Sequence, residues 1–273
     1  MKIISTPLEL QKYLQTINKT IGFVPTMGAL HEGHISLMKQ AKKENELLVV
    51  SIFVNPTQFA KGEDLSSYPN DKLRDEKICE MSAVDILFYP NKDDMYGDDE
   101  VSLLSPNVRG FVLEGYTRPS HFNGVLTVVN KFFNIVNPTK AYFGKKDAQQ
   151  LNLIQLMVKQ LFMSVEIVPV DTIRESDGLA MSSRNVYLSV SQREESLKIS
   201  RSLNLASSMI SRGINDTQSI LQAMDDFLSP LKIYYTEILD REFNKINEVL
   251  IGDTIILVEV EVGDTRLLDN LWL

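Results

Sequence analysis

The sequence predicts an α/β protein: a domain built on a parallel sheet, followed by a smaller α+β domain. Three observations carry that prediction. Short β-branched apolar runs alternate with helix-length segments over the first two-thirds of the chain. Those runs lack polar alternation, as strands buried between two helix layers require. Beyond about Arg184 the pattern changes, and two extended segments follow one another with no helix between them.

Thr20 to Val24 is the first apolar run, closed by a turn punctuated with glycine. From His34 to Glu44, Ile35, Met38 and Ala41 recur three residues apart on one helical face. Leu47 to Val54 predicts a strand buried on both faces, Asn70 to Ser82 a helix, and Val84 to Tyr89 another buried strand. A helix over Phe122–Val136, a strand over Ala141–Phe143, a helix over Ala148–Leu161 and a strand over Val165–Val170 complete the series. Strand–helix–strand units at this spacing form right-handed crossovers and a parallel, Rossmann-like sheet. Two helices, Ser191–Arg212 and Thr217–Leu228, then lead to extended segments at Lys232–Leu239 and Thr254–Val262, which suit an antiparallel sheet. The expected division is a domain over 1–175 and a smaller α+β domain over 176–273.

Composition narrows the function. Twenty-eight basic against thirty-six acidic residues give a net charge of −8, which disfavours a nucleic-acid groove. No apolar stretch approaches the roughly 18 residues of a membrane span. Pro7 and Glu9 interrupt the apolar start, so no signal peptide is expected. The single cysteine, Cys79, supports neither an internal disulfide nor a cysteine-based zinc site, and reads as a small buried apolar residue. Trp272 reads as packing. The expectation is a soluble, cytoplasmic protein that acts on small molecules.

The sharpest local signal is Pro25-Thr26-Met27-Gly28-Ala29-Leu30-His31-Glu32-Gly33-His34, between the first strand and its helix. In an open α/β sheet a ligand binds at this junction, against a helix N-terminus. Gly28 and Gly33 allow close backbone approach, and His31 and His34 can donate hydrogen bonds to phosphate oxygens. The spacing is wrong for a zincin helix, which needs His-Glu-x-x-His, and neither a Walker loop nor Gly-x-Gly-x-x-Gly occurs. Phe143-Gly144-Lys145-Lys146-Asp147-Ala148-Gln149-Gln150 is a second strand-end cluster, with lysines suited to phosphate and an Asp suited to a helix cap or a ribose. Met181-Ser182-Ser183-Arg184 is a third, where hydroxyls and a guanidinium fork suit phosphate oxygens. Asn55 and Gln58 directly follow a buried strand and emerge at the same sheet edge as the histidines; Glu114, Arg118 and His121 lead into the helix near Phe122.

Taken together, PTMGALHEGH, SIFVNPTQF, EDLSSYP, EGYTRPSHFNGVLTVV, FGKKDAQQ and DGLAMSSRN resemble the pantothenate synthetase family, in order and over the chain up to about Ser189. The wider superfamily comprises nucleotidylyltransferases and class I aminoacyl-tRNA synthetases. The resemblance implies ATP-dependent, AMP-forming ligation of pantoate to β-alanine through a pantoyl adenylate, in a homodimer, with Mg²⁺ carried on the ATP phosphates and no protein metal ligand. It implies an ATP site at Met27, Gly28, Ala29, Leu30, His31, Glu32, Gly33 and His34, continued by Gly144, Lys145, Lys146, Asp147, Ile173, Met181, Ser182, Ser183 and Arg184. His34 would be the proton donor, with His31, Lys146 and Arg184 as its catalytic partners. Gln58 and Gln150 would hold pantoate, with Asn55, Tyr68, Glu114, Arg118 and His121 nearby. One departure is visible: Lys145 stands where the family usually has Glu. The segment Lys61–Tyr68, or a hinged second domain, would close over the adenylate. The rival reading is a small-molecule nucleotidylyltransferase using the same His-x-Gly-His turn.

Overall fold

The computed structural model describes residues 1–60 and 62–273; Lys61, at the start of the suggested closing segment, lies outside them. The chain divides into two compact units, Met1–Lys145 with Leu153–Asp171, and Lys146–Asn152 with Thr172–Leu273.

The first unit carries β1 (Lys2–Ile4), α1 (Pro7–Gln15), β2 (Ile21–Thr26), α2 (Glu32–Glu44), β3 (Leu47–Ile52), α3 (Lys72–Met81), β4 (Ile86–Phe88), α4 (Lys92–Met95), α5 (Glu114–Thr117), α6 (His121–Val136) and β5 (Lys140–Gly144). α7 (Ala148–Gln160) follows, its first turn belonging to the second unit, and β6 (Glu166–Val170) completes the sheet. The strand order is β1-β4-β3-β2-β5-β6 and every pairing is parallel. This is the α/β class expected. β3 is buried at every position, because helices cover both faces of a central parallel strand. Val24, Met38, Val50, Cys79, Leu87 and Tyr142 meet in one apolar core. Burial pushes the Cys79 thiol up to about 12, so it stays protonated and unreactive.

The strand order sets the site. From β2 the chain winds outward through β3 and β4, then returns to place β5 on the other side of β2. The crevice beyond the carboxyl ends of β2 and β5 is therefore the topological switch point, where ligands bind in open α/β sheets.

The second unit contains α8 (Val190–Ser211), α9 (Thr217–Leu228), β7 (Lys232–Asp240), β8 (Thr254–Val262) and β9 (Thr265–Trp272), the strands antiparallel in the order β7-β8-β9. Ile199, Leu203, Ile220, Met224, Ile256 and Val258 form its core. Besides the one-turn helices α4 and α5, three elements are additional to those predicted. β1 has only three residues, too few to show a period. α1 starts at Pro7, a helix N-terminus signal. In β9, Asp269 and Asn270 sit where an apolar pattern was needed to reveal a strand, yet both are buried.

Candidate active site

Two side chains of the first unit, Thr26 and Asp75, hold the turn after β2. Gly28 has φ +87° and Ala29 φ +51°, a left-handed path that costs about 1 kcal/mol at a residue with a Cβ. Thr26 Oγ1 accepts the Gly28 N–H at 3.3 Å. The Asp75 carboxylate, on α3 and 1% exposed, accepts the Ala29 and Leu30 N–H groups at 2.8 and 2.9 Å. Burial pushes its carboxyl above the usual carboxylate range, and those two N–H bonds oppose the shift.

α2 begins at this turn, and its caps are the two histidines. His31 Nδ1 accepts the Gly33 N–H at 3.1 Å, and His34 Nδ1 accepts the His31 N–H at 3.3 Å. This is a capping box built from imidazoles. Each Nδ1 lone pair is engaged, so the proton of the neutral ring sits on Nε2 in both. The rings lie 4.1 Å apart, tilted by 42°. Two N–H donors at a helix N-terminus match phosphate oxygens.

The loop after β3 approaches the same turn. Gln58 is buried; its amide nitrogen lies 2.8 Å from Met27 Sδ, and its Oε1 accepts from Asn55 Nδ2 at 3.1 Å. Asn55 also donates to the Gly124 carbonyl and accepts from the Tyr96 hydroxyl at 2.7 Å. Underneath lies a buried charge cluster. Arg118 donates to both oxygens of Glu63 at 2.8 and 2.9 Å, to Glu114 at 2.9 Å and to the Gln58 carbonyl at 3.3 Å. Burial would lower the Arg118 pKa, but the bonds from Glu63 and Glu114 outweigh it and keep the guanidinium charged. His121 Nδ1 lies 2.7 Å from the Gln58 carbonyl, and its Nε2 lies 3.0 Å from Arg118 Nη1. A neutral ring protonated at Nδ1 satisfies both contacts, and burial pushes its pKa down, which favours that form. Tyr68 is buried and packs edge-on against Phe59.

At the end of β5, Lys145 forms an ion pair with Asp171 at 2.5 Å. The second unit takes up the chain at the next residue. There Lys146 pairs with Asp147 at 3.3 Å, and the Lys146 carbonyl accepts from Asn270 Nδ2 at 2.6 Å. Gln150 lies half-buried in the first turn of α7. In a hairpin-like loop the Ile173 carbonyl accepts the Met181 N–H at 2.9 Å. Arg174, beside it, holds the buried Asp269 of β9 through two bonds, at 2.5 and 3.0 Å. A 3-10 turn over Ser183–Tyr187 follows, capped by Ser182, whose Oγ accepts the Arg184 N–H at 3.3 Å. The candidate residues thus form two groups: Met27–His34, Asn55, Gln58, Gly144 and Lys145 in the first unit; Lys146, Asp147, Gln150, Ile173 and Met181–Arg184 in the second.

Comparison with known proteins matches residues 2–272 to the family described as Pantoate-beta-alanine ligase. The chain belongs to that family. It is 64% identical to the pantothenate synthetase of Sulfurimonas denitrificans and 51% identical to that of Aliarcobacter butzleri, each over the full length of both chains. Among solved structures it resembles the pantothenate synthetase of Thermus thermophilus, with TM-score 0.95 and 39% identity over 99% of each chain. It also resembles the pantoate-β-alanine ligase of Francisella tularensis complexed with β-γ ATP and β-alanine, with TM-score 0.82 and 35% identity over 100% of this chain and 97% of that one.

Against the pantoate-β-alanine ligase motifs, three supporting residues stand out that the sequence reading passed over. Asp75 sits four residues before Cys79, on the same buried face of α3; an Asp in a helix carries no local sign of burial. Asp269 anchors the Arg174 loop from a strand the periodicity did not reveal. Gly124 was visible only as part of a motif. A Cβ there would lie 2.4 Å from the Thr57 carbonyl oxygen, so glycine lets the 55–58 turn lie directly on α6.

Proposed function

We propose that this chain joins pantoate to β-alanine with cleavage of ATP to AMP and pyrophosphate. The pantoate carboxylate attacks the α-phosphorus and displaces pyrophosphate. The β-alanine amine then attacks the acyl carbon, and AMP leaves with the bonding electron pair. The observation that supports this reading is the contact inside one unit between Gln58 and Met27, which joins the loop after β3 to the Met27–His34 turn.

Adenylation needs alignment and positive groups around oxygens whose charge grows in the transition state. His31 and His34 supply Nε2–H donors. Gln58 orients pantoate together with Gln150, and Asn55 acts through Gln58, whose side chain it holds. MgATP enters as the substrate, with Mg²⁺ on its phosphates. Lys146 is the phosphate lysine by its place in the family motif; its neighbour Lys145, in the place of the family's usual Glu, pairs with Asp171. Asp147 meets the ribose, and Ile173, Met181, Ser182, Ser183 and Arg184 are further nucleotide-binding residues. Water has to be kept from the adenylate, which hydrolyses readily.

The protein works as a homodimer. Supporting this, Val101, Leu104, Val108 and Tyr116 stand exposed within one short segment, apolar surface of the kind an interface covers. Among the described residues no helix is long and apolar enough to cross a membrane, and the reaction is assigned to the cytoplasm, where ATP is supplied. Incubation with ATP, Mg²⁺, pantoate and a panel of amines, following AMP, tests the reading. AMP release that requires β-alanine supports it. A product that retains the nucleotide would make the protein a nucleotidylyltransferase instead.

A further inference from the structure

Asp75 is 1% exposed, and its carboxylate makes two hydrogen bonds, to the N–H groups of Ala29 and Leu30. Among the described residues no side-chain cation pairs with it. Burying a carboxylate on two neutral donors costs stability compared with an apolar residue of similar size. The partners it does have are the two consecutive amides of the left-handed corner that opens the His31–His34 turn, one of them on Ala29, a residue with positive φ and a Cβ. Oδ2 also lies 2.9 Å from the place where a Cβ on Gly28 would fall, so carboxylate and turn are mutually fitted. The corner is short. A change of a few tens of degrees at Ala29 would swing the N-terminus of α2, and with it both imidazoles.

We propose that Asp75 is a positioning residue for the nucleotide: its buried carboxylate locks the Gly28–Leu30 corner so that the backbone and the two imidazoles are preorganised for the ATP phosphates. The inference rests on the ligase reading of that turn. Asp75 touches no substrate, and its effect reaches ATP through the backbone it holds. Asp75→Asn keeps the shape but replaces one acceptor with an N–H donor facing another donor, which opens the corner.

Calorimetric titration of the full-length protein with MgATP and, separately, with pantoate tests this. In Asp75→Asn the ATP dissociation constant rises about tenfold, the scale of one lost hydrogen bond to a charged group. The pantoate constant rises at least roughly fivefold less. That selectivity supports the proposal, because a general loss of packing weakens both ligands alike. Equal weakening, or unchanged ATP binding, overturns it. Should the Asn variant not fold, Asp75→Glu carries the same test, since the longer side chain keeps the charge but moves its oxygens off the Ala29 and Leu30 N–H groups. Wild-type protein that binds neither ligand would refute the ligase reading itself, an outcome separate from either variant's.

Discussion

The side-chain nitrogen of Gln58 and the sulfur of Met27 are 2.8 Å apart, so the loop after β3 and the turn after β2 touch through side chains rather than merely sharing a sheet edge. In the proposed site, an acid held by the first loop would thereby be aligned with phosphates held by the second. For an in-line displacement the alignment of those two groups is most of what a protein can supply.

Removing the amide of Gln58 in Gln58→Ala raises the KM for pantoate more than the KM for ATP. Steady-state kinetics with each substrate varied in turn provide the check. Equal effects on both would argue against the placement of Gln58 on the acid.

His34→Ala slows adenylation by about 10²-fold or more, the range for losing one transition-state donor. It also removes the acceptor of the His31 N–H, at a cost of about 1 kcal/mol in helix capping. Pantoate-dependent exchange of pyrophosphate into ATP reads the first effect and thermal unfolding the second. Undiminished exchange would reject the role.

Gly124→Ala drives a methyl group into the Thr57 carbonyl. Overpacking of this kind costs about 1–3 kcal/mol, and here it also pushes the 55–58 turn off α6. The urea midpoint falls and the KM for pantoate rises. A neutral substitution would show that the turn has room to retreat.

Acid weakens the protein through His121. Its pKa is pushed below the ordinary 6.5, chiefly by burial. Below that ordinary value the unfolded chain therefore takes up a proton that the folded chain refuses. The stability involved is intact above the unfolded pKa and is lost as pH falls from it towards the folded value. Between about pH 7 and about pH 5, the urea midpoint of the wild type drops, and His121→Gln, which can still donate to the Gln58 carbonyl, loses less over the same range. Parallel losses would place the acid sensitivity elsewhere.

The parallel sheet, the helices between its strands, the antiparallel strands β7 and β8, and the turn that carries His31 and His34 are all legible in the order of the residues. These follow from local regularities. Apolar runs without alternation mark strands covered on both faces, three-residue recurrence marks helices, and a glycine-bearing turn at a strand's end marks a ligand edge. Long-range packing, by contrast, pairs β1 with β4, buries Asp269 of β9 against Arg174, and sets Gly124 and Asp75 under the two loops. A three-residue strand has no period to read. A charged residue looks the same in sequence whether water or a backbone amide satisfies it, and that choice is made by segments brought from elsewhere in the chain. Asp75 lies more than forty residues from the amides it holds, and nothing local to α3 encodes the encounter.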